Sequence, residues 1–254
     1  MISIVIIGLG NIGTHLYKAF NSADGFTVSQ LYNRTQNKLN AFPKALNSTT
    51  DLSKLIEADV YIIATSDDSI DTISSALPFT NKLVVHTSGS VPIHALANKN
   101  RKGSFYPLQT FSNDTPINFK EVPICIEAQN TSDLLVLQNL AEKLSNKVFH
   151  ITSEQRKSMH LAAVFANNFT NHMYYIAEQI CKENNVPFTI LSPLLKETAQ
   201  KLDSLSPYNA QTGPAKRNDI GTIDRHLKEL TNTSYKEIYT AISKSITNTY
   251  EKKL

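Results

Sequence analysis

Gly8-Leu9-Gly10-Asn11-Ile12-Gly13 follows the apolar run Ile2–Ile7 directly and leads into a helical spacing of Ile12, Leu16, Ala19 and Phe20. Three glycines so placed, between a buried strand and a helix, suit one task. Gly8 permits a tight turn, Gly10 lets backbone approach a diphosphate, and Gly13 lets the helix lie close on the strand. The first amides of the helix and its partial positive charge then face the anion. A strand-to-helix turn that needs glycine only for its own geometry is the plainer alternative. Gly8, Leu9, Gly10, Asn11, Ile12 and Gly13 are the expected dinucleotide contacts.

The tip of the second strand decides which dinucleotide. NAD-selective sites place a carboxylate there to accept from the ribose 2′-hydroxyl. Here residues 26–32 run into Asn33-Arg34-Thr35, with Lys38 just beyond, and no carboxylate stands at the tip. A guanidinium, a hydroxyl, an amide and an ammonium suit a 2′-phosphate, which Arg can bind through two parallel bonds. Asn33, Arg34, Thr35 and Lys38 therefore predict NADP(H) as cofactor; an arginine on a solvated turn is the alternative.

In an open α/β sheet, ligands sit beyond the carboxyl ends of the strands. Thr65-Ser66-Asp67-Asp68 and His86-Thr87-Ser88-Gly89-Ser90 occupy such places. Thr65, Ser66, Asp67, Thr87 and Ser88 are expected along the cofactor, although either aspartate could instead cap the next helix. His86 could relay a proton to a carbonyl or could be a hydrogen-bonded structural histidine. Ser88-Gly89-Ser90 lacks the arrangement of a nucleophile elbow. No histidine pair has metal-ligand spacing, so no metal is expected.

The first 152 residues alternate strand and helix signals, with apolar strands at 60–64 and 83–85, a further strand pair at 123–127 and 148–151, and a helix at 134–144. A short helix is expected at 38–42, an extended segment near Ala45-Leu46, and Asp51 as the cap of a helix over 52–58. This is the pattern of an α/β fold with a doubly wound sheet. From 153 to 185 apolar residues recur at three- and four-residue steps without a proline, predicting one unusually long helix. Helices over 189–205, 222–230 and 234–250 follow. The expected division is a dinucleotide-binding domain over 1–152 and an all-α domain over 153–254. The long apolar stripe predicts a homodimer through the C-terminal helices.

His160, Asn167, Asn168, Asn171 and His172 interrupt that stripe. They suit either a polar cleft facing the cofactor or a solvated face. His86, His160 and Asn168 are the catalytic candidates. The cationic loop 211–219 could recognise a carboxylate or phosphate on a substrate. Gln109, Thr110, Asn167, Thr212 and Arg217 are the candidate substrate contacts.

Among the 254 residues, 25 Lys and Arg nearly balance 22 Asp and Glu, and no basic stripe interleaves with aromatics; nucleic acid is not an expected partner. Cys125 and Cys181 read as small core residues in a reducing compartment. The chain opens straight into a strand, and no apolar run has membrane-spanning length, so a cytoplasmic protein without membrane contact is expected.

The Gly8–Gly13 loop, Asn33-Arg34-Thr35, His86-Thr87-Ser88-Gly89, Tyr106-Pro107-Leu108-Gln109-Thr110-Phe111, Asn167-Asn168 and Thr212-Gly213-Pro214 together resemble a known group over nearly the whole chain. That group is the Rossmann-like NADP oxidoreductases with an uncharacterised C-terminal helical domain. More distantly the chain is similar to pyrroline-5-carboxylate reductase, ketopantoate reductase and the 6-phosphogluconate and β-hydroxyacid dehydrogenases. The resemblance implies NADP binding and a dimer, and the expected function is hydride transfer to or from a small polar substrate in a cleft between the halves. A non-catalytic NADP-binding sensor is the alternative. One departure stands out: the hydroxyacid dehydrogenases carry a catalytic lysine three residues before the Asn pair, where this chain has Val164.

Overall fold

The structure, a computed structural model, describes residues 1–44, 46–112 and 116–251. Its chain forms two compact units, one from Met1 to Val164 and one from Phe165 onward. The first is built on β1 (Ile2–Ile7), β2 (Phe26–Tyr32), β3 (Ser48–Thr49), β4 (Val60–Ile63), β5 (Leu83–His86), β6 (Arg101–Pro107), β7 (Ile124–Ala128) and β8 (Val148–His150). Its helices are α1 (Asn11–Asn21), α2 (Gln36–Leu39), α3 (Ile70–Ala76), α4 (Thr131–Leu144) and α5 (Ser153–Ala163). One sheet runs β3-β2-β1-β4-β5-β6-β7-β8, the doubly wound arrangement expected from the alternating pattern.

Strand alternation divides the core cleanly. Ile4, Ile6, Val60, Ile62, Leu83 and Val85 pack into one cluster with Leu16 and Phe20 of α1 and Leu137 and Leu140 of α4. Val5, Ile7, Tyr61, Ile63 and Val84 pack into the other, with Ile70 of α3. Both faces are covered, which is why these strands read as unbroken apolar runs.

Several elements depart from the sequence expectation. β7 runs antiparallel to β6. Among the described residues of the 108–123 connection only the short 3-10 turn Phe119–Glu121 is helical, and a parallel return needs a full crossover. Asp51 does cap, accepting from the Ser53 amide, but the turn it starts spans only Leu52–Lys54 because Leu55 reverts to extended backbone. The short helix is Gln36–Leu39 rather than 38–42, and the extended pair is Ser48–Thr49. Ala45 lies outside the described residues.

The expected long helix is helical throughout but not uniform. α5 starts at a Thr152–Gln155 capping box, gives way to a π-helical turn over Val164–Phe169, and continues as α6 (Thr170–Glu183). Such turns interrupt the regular ladder and often mark functional positions. Both Asn167 and Asn168 fall within it.

The second unit adds α7 (Ser192–Gln200), α8 (Pro207–Ala210), α9 (Ile220–Glu229) and α10 (Thr233–Tyr250). Pro193 occupies the first turn of α7, where its missing amide costs nothing. Among the described residues of this unit only Ile176 and Ala215 are buried apolar side chains, whereas Phe165, Ile190, Leu194, Leu202 and Leu205 are exposed. An apolar cavity of about 270 Å³ opens between Met173, Ile176 and Ile180 of α6 and Ile238, Ile242 and Ile246 of α10. Among the described residues no helix is long and apolar enough to cross a membrane.

Candidate functional site

A groove of about 900 Å³ lies along the carboxyl ends of β1, β2 and β4. Its floor is the glycine turn. Gly8 has φ +102°, which an L side chain rarely adopts, and its amide donates to Tyr32 O at 2.8 Å. A Cβ on Gly13 would stand 2.0 Å from Gly8 O, so only glycine lets α1 come down on the turn. Gly10 is the N-cap of α1 and offers no side chain, and a Cβ built there would meet nothing within 4 Å. Among the described residues no side chain caps the first turn of α1, an arrangement suited to a diphosphate.

Arg34, Thr35 and Lys38 form the far wall and are exposed. Among the described residues neither cation forms an ion pair. Asn33 connects floor and wall: its Oδ1 accepts from the Leu9 amide at 3.0 Å and its Nδ2 donates to Thr35 O at 3.1 Å. Thr65 and Ser66, from the end of β4, line the same groove. So does Gln109, which the sequence suggested for substrate. The segment bearing Gln109 is tethered to α1, because Asn11 Nδ2 donates to Phe111 O and His15 Nε2 lies 2.9 Å from Ser112 O. Asp68, Ser69 and Thr72 also line the groove; nothing in their spacing distinguishes them from helix-start residues. NADP fits what these residues offer: a helix start with no side-chain cap for the diphosphate and cations with no ion pair among the described residues for a further phosphate.

Gly13, Asp67, Thr87 and Ser88 do not line the groove. Gly13 serves the helix–turn contact, and Asp67 takes the hydroxyl of Ser90. Thr87 and Ser88 are buried, and Ser88 Oγ accepts from the amides of Ser90 and Val91. Thr110 is exposed and its amide donates to Gln109 Oε1.

His86 is fully buried, and its Nδ1 accepts from the Ser88 amide at 3.2 Å. Burial, reinforced by the nearby Arg156 charge, pushes its pKa down to about 3. The ring stays neutral near pH 7 and is out of contact with solvent.

Arg156 of α5 is the residue the spacing did not mark. It is 1% exposed, ion-paired with Glu127 of β7, and donates to Ser88 O at 3.1 Å and Val91 O at 2.6 Å. Ser153 Oγ shares the cluster, donating to Glu127 at 2.7 Å. Each guanidinium nitrogen of the buried Arg156 is thus matched, which is what a buried charge requires. The cluster holds the 88–91 turn to α5. One helical turn later, His160 lies against that turn, with Nδ1 3.0 Å from the Tyr106 hydroxyl.

In the second unit Asn168 and Arg217 are exposed, and Thr212 borders the apolar cavity. Lys216 of the cationic loop is turned inward, donating to Gln211 O and lying 4.9 Å over the Tyr250 ring.

Comparisons with known proteins agree with this geometry. A family described as NADP oxidoreductase, coenzyme F420-dependent, matches residues 3–89, and a domain of unknown function, DUF2520, matches residues 122–246. A Bacteroides fragilis structure, provisionally named an NADP oxidoreductase, is 40% identical with a TM-score of 0.86, covering 97% of this chain and 98% of that one. A Thermotoga maritima protein is 20% identical with a TM-score of 0.73, over 98% of each chain. A 1-pyrroline-5-carboxylate reductase of Streptococcus pyogenes is 16% identical with a TM-score of 0.65, over 99% of each. These last two show likeness of fold. Comparison with curated proteins gives no match.

The burial of His86 makes a pH prediction. Its folded pKa lies below the ordinary value of 6.5, so the unfolded chain binds a proton that the folded one refuses. The resulting stability is whole above about pH 6.5 and is lost as pH falls toward about 3. Denaturant titrations from pH 6 to 4 should show wild type losing up to about 1.4 kcal/mol per pH unit more than His86→Asn. Parallel curves for the two proteins would contradict the assignment.

Proposed function

The chain belongs to a family of NADP-dependent oxidoreductases, and on that premise we propose that it moves a hydride between NADP(H) and a small polar molecule bearing a C=O or C=N group. One observation carries the reading: a single groove gathers the glycine turn, the start of α1 and the cations Arg34 and Lys38, and among the described residues that start has no side-chain cap and those cations no ion pair. In this reading the amides from Gly10 to Ile12 hold the diphosphate, and Arg34, Thr35 and Lys38 hold the 2′-phosphate. The bound cofactor supplies or accepts the hydride.

His160 is the proposed proton donor. It is half-buried, and among the described residues only Nδ1 has a hydrogen-bond partner, leaving Nε2 to give a proton to the substrate's oxygen or nitrogen. His86, buried and neutral, takes no part in proton transfer in this scheme. Asn167, Asn168 and Arg217 remain candidate substrate contacts. Val164, where the hydroxyacid dehydrogenases have lysine, gives the chain no acid at that place. The family match favours catalysis over non-catalytic NADP sensing.

A homodimer belongs to the same proposal. A unit with only two buried apolar side chains among its described residues leaves too much apolar surface in water, and a second copy would cover it. Sedimentation at micromolar concentration should show a dimer; a monomer alone would defeat this part.

The experiment for the reaction follows NADPH absorbance against a panel of small carbonyl, imine and hydroxy-acid compounds. At least one compound should be turned over, and His160→Gln should slow that turnover by about 10²-fold or more. Firm NADPH binding with no turnover across the panel would overturn the enzymatic reading.

A further inference from the structure

We propose that Tyr106 is a positioning residue that fixes the tautomer of His160, so that Nε2 carries the proton and Nδ1 accepts from the tyrosine hydroxyl. This rests on the reading of His160 as proton donor. Tyr106 is on β6 and His160 on α5, and two independent contacts bring them together.

The first is packing. A Cβ on Gly89 would lie 2.7 Å from both Cγ and Nδ1 of His160 and 2.9 Å from Cζ of Tyr106. Both rings therefore rest on the bare backbone of Gly89, and the rings meet edge to face at 78°. The turn bearing Gly89 cannot drift, because Arg156 grips the carbonyls of Ser88 and Val91 on either side of it. A histidine one helical turn from that grip is held in place before any ligand arrives.

The second is hydrogen bonding. The Tyr106 side chain is 7% exposed, and its hydroxyl has His160 Nδ1 as its partner among the described residues at 3.0 Å. A buried hydroxyl is a strong donor that costs free energy when left unpaired. Donation from Tyr106 to Nδ1 satisfies it, whereas donation from His160 to the tyrosine oxygen would strand the hydroxyl hydrogen. Burial also pushes the phenol up to about 12, so the hydrogen stays on the oxygen across the working pH range. The neutral ring then bears its own proton on Nε2.

Proton accounting for reduction is complete within the chain and water. Nε2–H passes its proton to the substrate heteroatom as the neighbouring carbon gains the hydride. Nε2 regains a proton from water, while the Tyr106 hydrogen stays on its oxygen and its bond to Nδ1 steadies the ring.

Long-range proton–nitrogen NMR of the cofactor-free protein, recorded at about pH 9 and assigned with His160→Gln, reads the tautomer without any turnover. Wild type should show the Nε2–H form, and Tyr106→Phe a mixture of both forms. In the assay, Tyr106→Phe should lower kcat about tenfold or more with KM within about threefold. A wild-type Nδ1–H tautomer would overturn the proposal, even should the variant prove unstable. So would a variant that keeps both the Nε2–H form and the rate. If no substrate is ever found, the donor reading fails while the tautomer is still measured.

Discussion

The fold of the first unit is organised around one close approach, α1 seated on the turn that follows β1. Any side chain at Gly13 would collide with the Gly8 carbonyl, because its Cβ would come within 2.0 Å. That contact sets the helix start at the carboxyl edge of the sheet, amides outward. The remaining walls are tied to it: Asn33 joins Leu9 to the Arg34–Thr35 turn, and Asn11 and His15 join α1 to the Phe111–Ser112 segment. A helix N-terminus attracts an anion by about 0.3–1 kcal/mol when exposed. Charge-assisted bonds to phosphate add more each, so the cations at the tip of β2 have the larger say in which nucleotide binds.

A second anchor works on the other side of the sheet. Arg156 is a buried cation paired with the partly buried Glu127, and its desolvation is expensive unless its partners are well placed. The pair joins β7, α5 and the turn after β5, and it stands next to the only histidine so far assigned a chemical role. Breaking a buried pair by removing one partner typically costs about 3–5 kcal/mol. The bonds from Arg156 to the Ser88 and Val91 carbonyls hold the turn that carries Gly89, against which Tyr106 and His160 pack.

Local signals were easy to read and distant ones were not. The glycine spacing, each apolar strand and the cations after β2 are each signals of a few consecutive residues, and the groove gathers the glycines and the cations. The antiparallel β7 depends on how the 108–123 connection runs, which local patterning does not encode. Asp51 was legible as a cap, but the length of its turn depends on Leu55 returning to extended backbone. His86 looked like a candidate acid because strand-end histidines face ligands; its neutrality comes from burial beside Arg156, a contact 70 positions away in the chain. Arg156 itself sits among Glu154, Gln155 and Lys157 in what reads as a polar first turn. Only the distant Glu127, Ser88 and Val91 show that it points inward. Tyr106 carries no local mark of its contact with His160, 54 positions on, for the same reason.

The claim that this groove holds NADP through the α1 amides and the β2 cations is tested most directly by calorimetry of NADPH and NADH on wild type and Arg34→Ala. Wild type should bind NADPH more tightly than NADH. The substitution should weaken NADPH by about ten- to a hundredfold and leave NADH within about twofold. Equal losses for both nucleotides, or no heat with either on the intact protein, would contradict it.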